Sequence, residues 1–391
     1  MKIKLSKFVM LIFILCSICL TSCTYEKNNN PLYKSNKIRV KLIWQNNIGN
    51  NNLSFKKLNP FYSKGFLYLA NKNGFIYCIN IKTGKIIWYI NLINKYCFFS
   101  SCRYEYLTSG PIISNNYLYV GNKQGKIFAI NIKNKSIIWK QNIFNEILSK
   151  FVIRKNILIV HSMNDILQGL DKNNGKILWT VHLGHSNLLS IRGLSDPVLF
   201  FDNVIIGSDN GLVSSHIITN GLSVWEQNLL RMNNKENFIG INDIDIQPII
   251  YKGIVYVSSY NGNFMAINLS TGDIIWEKIY FTHKNFIINH NIIYLIDPLN
   301  RIFALNAKNG NLIWIIDKFK NNKINNLFIY NKKIFFTNNK GFLYWIDLKK
   351  GILLGSKKID KYKINHILVI KNKLVIQTIY NKIYLFKILT I

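Results

Sequence analysis

Short runs of alternating apolar and polar residues fill the chain from about position 39 to its end, and they recur. Alternation with a period of two marks half-buried β-strands. Here the runs come in pairs joined by turn residues. Asn73–Trp88 reads NGFIYCINIKTGKIIW, Asn210–Trp225 reads NGLVSSHIITNGLSVW and Asn261–Trp276 reads NGNFMAINLSTGDIIW. Gln124–Trp139, Asn164–Trp179 and Leu299–Trp314 follow the same pattern, and Lys340–Gly355 keeps it with Gly355 in the Trp slot. In every copy the second residue stands 14 positions before that slot. Asn-Gly and Thr-Gly supply the positive φ that tight hairpins need.

Trp44, Trp88, Trp139, Trp179, Trp225, Trp276 and Trp314 are separated by 44, 51, 40, 46, 51 and 38 residues. These are the lengths of four-stranded propeller blades. One blade parses into strands over Ile246–Tyr251, Ile254–Tyr260, Asn263–Leu269 and Asp273–Tyr280. A last copy, Tyr380–Lys387, runs out before its own Trp strand, and Val40–Trp44 at the other end of the chain supplies one. The expected fold is therefore all-β: an eight-bladed β-propeller of four-stranded antiparallel blades over 39–391, its ring closed by the N-terminal strand around Trp44. Seven Trp share one slot, which points to packing between adjacent blades rather than to a ligand cage. Trp345 falls on a different strand and is expected in the core, as is Cys78.

The first residues carry a different pattern. Lys2, Lys4 and Lys7 precede an apolar run, Phe8–Leu20, that is too short to span a bilayer comfortably. Leu20-Thr21-Ser22-Cys23 follows and resembles a bacterial lipobox. The resemblance implies a signal peptide over 1–22 and lipid attachment at Cys23. Thr24, rather than Asp, after that Cys resembles the sorting signal for the outer membrane. Residues 23–38 are polar and unpatterned and read as a flexible tether.

The chain carries 50 Lys+Arg against 18 Asp+Glu, a formal charge of +32, yet only 17% of its residues are charged. The excess is Lys scattered through turns, without a basic helix or stripe. Specific nucleic-acid readout leans on Arg forks, so no nucleic-acid partner is expected. Lys, Asn, Ile, Phe and Tyr share AT-rich codons, and compositional drift accounts for the bias; weak attraction to anionic lipid follows in either case.

The unit Ala266–Trp276, AINLSTGDIIW, resembles the repeat of quinoprotein-type propellers. Two families share it: the pyrroloquinoline-quinone dehydrogenases and the BamB-type lipoproteins of the outer-membrane β-barrel assembly machinery. A single ring of repeats, the absence of an adjacent Cys-Cys pair and the lipobox favour the second. Leu189-Ser190-Ile191-Arg192-Gly193, with Ser195 and Pro197, resembles the loop by which that family docks on BamA. Asp243-Ile244-Asp245, with Pro248 after it, resembles the paired-acid segment near that loop. The resemblance implies a non-enzymatic scaffold without cofactor or metal. It implies a lipid anchor at the periplasmic face of the outer membrane and binding to the POTRA domains of a BamA-type barrel protein. It further implies help in folding and inserting outer-membrane proteins, with unfolded ones as possible clients. Leu189, Ile191 and Arg192 are then the contact residues, with Asp243 and Asp245 in support.

The residues leave other chemistry open. Arg192 offers a bidentate fork to a partner carboxylate or carbonyl, or pairs internally with Asp243 or Asp245. Asp243 and Asp245 alternate like strand neighbours and so face one side, an arrangement compatible with acid–base work but not specific to it. A quinone oxidoreductase would need a Ca²⁺ held by converging carboxylates. An envelope polymer bound through the Lys surface is a third reading. His182 and His185 have loose metal-ligand spacing with nothing nearby to complete a site. Cys97 and Cys102 are close enough in sequence to permit a local disulfide in an oxidising compartment.

Overall fold

The computed structural model describes residues 38–49, 58–92, 96–98, 101–103, 106–184, 193–229, 243–260, 262–320 and 322–390. Residues 36–391 form one compact unit. Among the described residues, eight four-stranded antiparallel sheets follow one another around a ring. Blades 1 to 7 are built from consecutive strands over 61–91, 107–142, 152–182, 198–228, 249–279, 287–316 and 324–358. Blade 8 takes three strands from 364–390 and its outermost from Ile38–Asn47. That strand pairs with Lys382–Thr390, from Ile38 opposite Thr390 to Asn47 opposite Lys382. The ring therefore closes with its two ends hydrogen-bonded to each other, as the truncated last repeat requires.

The first strands of successive blades touch one another around most of the ring and line the axis. The fourth carries exposed aliphatic residues such as Ile87, Ile138 and Leu312 and forms the rim. Connections therefore sort onto two faces. The turns between first and second strands and between third and fourth strands lie on one face. The turns between second and third strands and the links from blade to blade lie on the other. The hydrophobic core sits between blades: Trp139, Ala129 and Ile127 of blade 2 pack with Leu158, Val160 and Leu170 of blade 3.

The Trp slot is an inter-blade lock. Trp44 Nε1 donates to the Ile81 carbonyl in the next blade's outer turn at 3.0 Å. Trp139, Trp179, Trp225 and Trp276 do the same to Lys172, Ile218, Leu269 and Ala307, at 2.8–2.9 Å. Each ring lies on the glycine of that turn; a Cβ on Gly175 would come 2.6 Å from Trp139 Cε3. Across the sheet the partner residue is small: Cys78, Ala129, Gly169, Ser215, Ala266 and Ala304 face the Trp of blades 1 to 6.

Blade 7 departs from this pattern for a reason only the ring reveals. Its slot residue is Gly355, and the large side chain sits opposite, on Trp345, which is 2% exposed. The next blade is blade 8, whose third and fourth strands are not joined by a turn, because they come from opposite ends of the propeller sequence. A Trp at 355 has no turn glycine or turn carbonyl to dock on. Instead Lys357 Nζ donates to the Val40 carbonyl of the closing strand.

Two expectations need correction. The first strand of blade 5 runs only over Ile249–Tyr251, not from Ile246. Pro248 has no N–H to give to a ladder, and pairing starts after it. For the same reason Asp243 and Asp245 are not strand neighbours; they lie in the link from blade 4 to blade 5. Trp345 and Cys78 are buried, as expected. Cys97 and Cys102 stand opposite each other in the backbone register of a short hairpin over Tyr96–Phe98 and Ser101–Arg103.

Candidate partner-binding site

Blades 3, 4 and 5 gather acidic side chains on the face that holds the inter-blade links. In blade 3 the turn residues Asn164 and Asp165 both adopt positive φ, 62° and 52°. This turn carries Asp165 inward, where it is fully buried. Its Oδ2 accepts the Asp209 N–H of the equivalent turn in blade 4 at 2.9 Å. His161 Nε2 lies 3.4 Å from Asp165 Oδ1, while its Nδ1 is 3.0 Å from the Ser195 carbonyl. A carbonyl only accepts, so Nδ1 carries a proton.

The links are tied to one another in the same way. Asp196, 2% exposed, accepts the Lys150 backbone N–H at 2.9 Å and pairs with its Nζ at 3.0 Å. Ser195 Oγ donates to the Ile246 carbonyl at 3.3 Å. Ile244 N–H donates to Ser208 O at 3.1 Å, and Asp243 O accepts from Tyr260 N–H at 2.9 Å. These two bonds hold Asp243–Asp245 between the turns of blades 4 and 5. Ile244 fills the core against Gly207, where a Cβ would come 2.3 Å from Ile244 Cγ2.

The result is a carboxylate cluster. One oxygen each from Asp209, Asp243 and Asp245 lies within 4.8 Å of the others. Asp209 and Asp243 are buried and Asp245 is half-buried. Carboxyl groups so close disfavour one another's ionisation unless a cation or hydrogen-bond donors stand beside them. Three carboxylates alone fall short of the six to eight oxygens, roughly, that Ca²⁺ takes.

The expected contact residues Leu189, Ile191 and Arg192, like Cys23 and His185, lie outside the described residues. Gly193, next to Arg192 in the sequence, lies against the cluster. A Cβ on Gly193 would come 2.1 Å from Asp245 Oδ2, so any larger residue there displaces the Asp245 carboxylate. The segment after Arg192 is thus held on the acids that the sequence paired with it.

A family model described as "Outer membrane protein assembly factor BamB" matches residues 72–316. The chain belongs to the BamB family. The assembly factor BamB of Yersinia pestis is 29% identical over 360 residues, 91% of either chain. That of Moranella endobia (strain PCIT) is 31% identical over 327 residues, 83% of this chain and 84% of that one. The crystal structure of BamB from Moraxella catarrhalis shares the fold, with a TM-score of 0.76 at 18% identity over 89% of this chain and 100% of that one.

In this BamB-family ring, Asp243 and Asp245 converge from the link between blades 4 and 5 and not from the strand expected of them. Asp209 joins them unannounced. It sits in Ser208-Asp209-Asn210-Gly211, which reads as an ordinary hairpin turn. The one available signal was that Asp replaces the Lys found at this turn position in Asn71-Lys72-Asn73-Gly74 and Asn122-Lys123-Gln124-Gly125.

Proposed function

We propose that this chain is a non-enzymatic scaffold of outer-membrane protein assembly. It is anchored by lipid at Cys23 on the periplasmic face of the outer membrane and binds the POTRA domains of a BamA-type barrel protein. Family membership supports the assembly role. The observation that carries the site is the cluster of Asp209, Asp243 and Asp245 against Gly193, the residue that follows Arg192 in the sequence. A guanidinium held by carboxylates keeps a fixed fork for a partner's carbonyl or carboxylate. Leu189 and Ile191 supply the apolar anchors that interface hot spots require. The acids thus act as positioning residues for Arg192.

Co-purification tests this. The lipidated chain is expressed beside its cognate barrel protein, solubilised gently and pulled down. The barrel protein is recovered, and recovery is lost when Leu189, Ile191 and Arg192 are changed together to Ala. Full recovery with the triple variant, its propeller folded, would refute the site.

A further inference from the structure

The two faces of the ring differ in charge, and the chain enters on the basic one. Ile38 pairs with Thr390 at the end of blade 8 where a third-to-fourth turn would lie. Cys23 is only fifteen residues before Ile38, a reach of about 50 Å at full extension. On this face every blade but the fourth carries an exposed Lys in one or both of its turns, among them Lys82, Lys133, Lys155, Lys252, Lys349 and Lys350.

Among the described residues the carboxylates in the same turns are Asp171, Asp202, Asp273 and Asp347, and each is engaged locally. Asp171 and Asp347 accept backbone N–H groups of their own turns at 2.7–2.9 Å. Asp273 accepts from Thr271 Oγ1 at 2.6 Å, and Asp202 pairs with Lys155 at 2.9 Å. The other face carries exposed Lys too, among them Lys123, Lys318, Lys320 and Lys340, but sets beside them the cluster described above together with Glu146, Asp165, Asp196, Asp297, Asp317 and Asp360.

Beside the basic turns, at the same end of the outer strands, stand exposed aliphatic residues. Ile87 is 54% exposed, Leu312 50% and Ile352 56%. Lys beside exposed aliphatic side chains is the composition of a surface that rests on anionic headgroups.

We propose that the turn face on which Ile38 enters docks flat on the anionic phospholipid surface that holds the anchor. This turns the face with Asp209, Asp243 and Asp245 away from the bilayer, toward the periplasm. The inference rests on the lipid-anchor reading.

The test uses the mature, lipidated chain reconstituted into vesicles of phosphatidylethanolamine with phosphatidylglycerol, or of phosphatidylcholine alone. A water-soluble amine-reactive ester modifies exposed Lys, and mass spectrometry follows each site. In phosphatidylglycerol vesicles Lys82, Lys133 and Lys349 react about threefold more slowly, or slower still, relative to Lys318 and Lys320 on the other face. The protection vanishes in phosphatidylcholine, and at about 0.5 M salt, where the screening length falls to about 4 Å. The combined variant Lys82→Glu, Lys133→Glu, Lys349→Glu loses the protection of Lys252 as well. Equal rates in the two lipids, stronger protection of Lys318 and Lys320, or a variant that still protects Lys252 would overturn the proposal. The mass of the Cys23 peptide reports acylation separately. If Cys23 is unmodified, the anchor reading fails alone, and the same labelling with protein added to preformed vesicles still decides the face.

Discussion

Trp225 and Trp314 occupy the same slot in blades 4 and 6 but differ in one bond, and replacing each by Phe isolates it. Trp225 is 8% exposed, lies on Gly272 and donates Nε1–H to Leu269 O at 2.9 Å. Trp314 lies on Gly351 in the same manner, yet its buried Nε1 has no hydrogen-bond partner. Truncating such a ring to Ala costs about 3–5 kcal/mol, which sets the scale of the packing. Trp225→Phe keeps much of that packing but leaves the buried Leu269 carbonyl without its indole donor, at a cost of about 1–3 kcal/mol. Trp314→Phe removes a donor that is already unsatisfied, so its hydrogen-bonding cost is about zero or slightly favourable. Loss of ring area is common to both and cancels in the comparison. Urea unfolding followed by far-UV circular dichroism reads the difference as a midpoint shift at constant slope. Trp225→Phe unfolds at clearly lower urea than Trp314→Phe. Equal midpoints would show that the indole bonds do not help lock the blades, and that packing on the turn glycine is the whole of the effect.

Burial pushes the Lys284 ammonium down to about 8, with Asp297 opposing the shift and Lys363 adding to it. The unfolded chain holds that proton up to its ordinary value of about 10.4. Between about pH 8 and pH 10 the unfolded state therefore binds more protons, and this group makes stability rise with pH; Lys284→Met flattens that rise in denaturation midpoints taken across the window. At the site, Gly193→Ala places a methyl on Asp245 and lowers recovery of the barrel partner while leaving the urea midpoint nearly unchanged; normal recovery would detach the acids from the contact segment.

The blade repeat and the closure of the ring were legible in the sequence because hairpin chemistry is local. An Asn-Gly turn, an alternating strand and a Trp at fixed offset state their roles within about a dozen residues. The inter-blade role of the Trp was legible too, since seven copies in one slot mark structure rather than a ligand. Tertiary structure alone decided the rest. Gly355 looks like a lost Trp until the ring shows that blade 8 has no turn for it to dock on. Asp243 and Asp245 alternate as strand residues do, but Pro248 delays the ladder, and backbone bonds to Ser208 and Tyr260 hold them in the link instead. Asp209 stands 34 positions before Asp243, with the third and fourth strands of blade 4 between them, and reaches it because each second-to-third turn lies beside the next inter-blade link. Which face carries the acids and which carries the start of the closing strand follows from strand direction around a closed ring. Short-range pattern encodes the unit; the angle between units decides which distant side chains share a site.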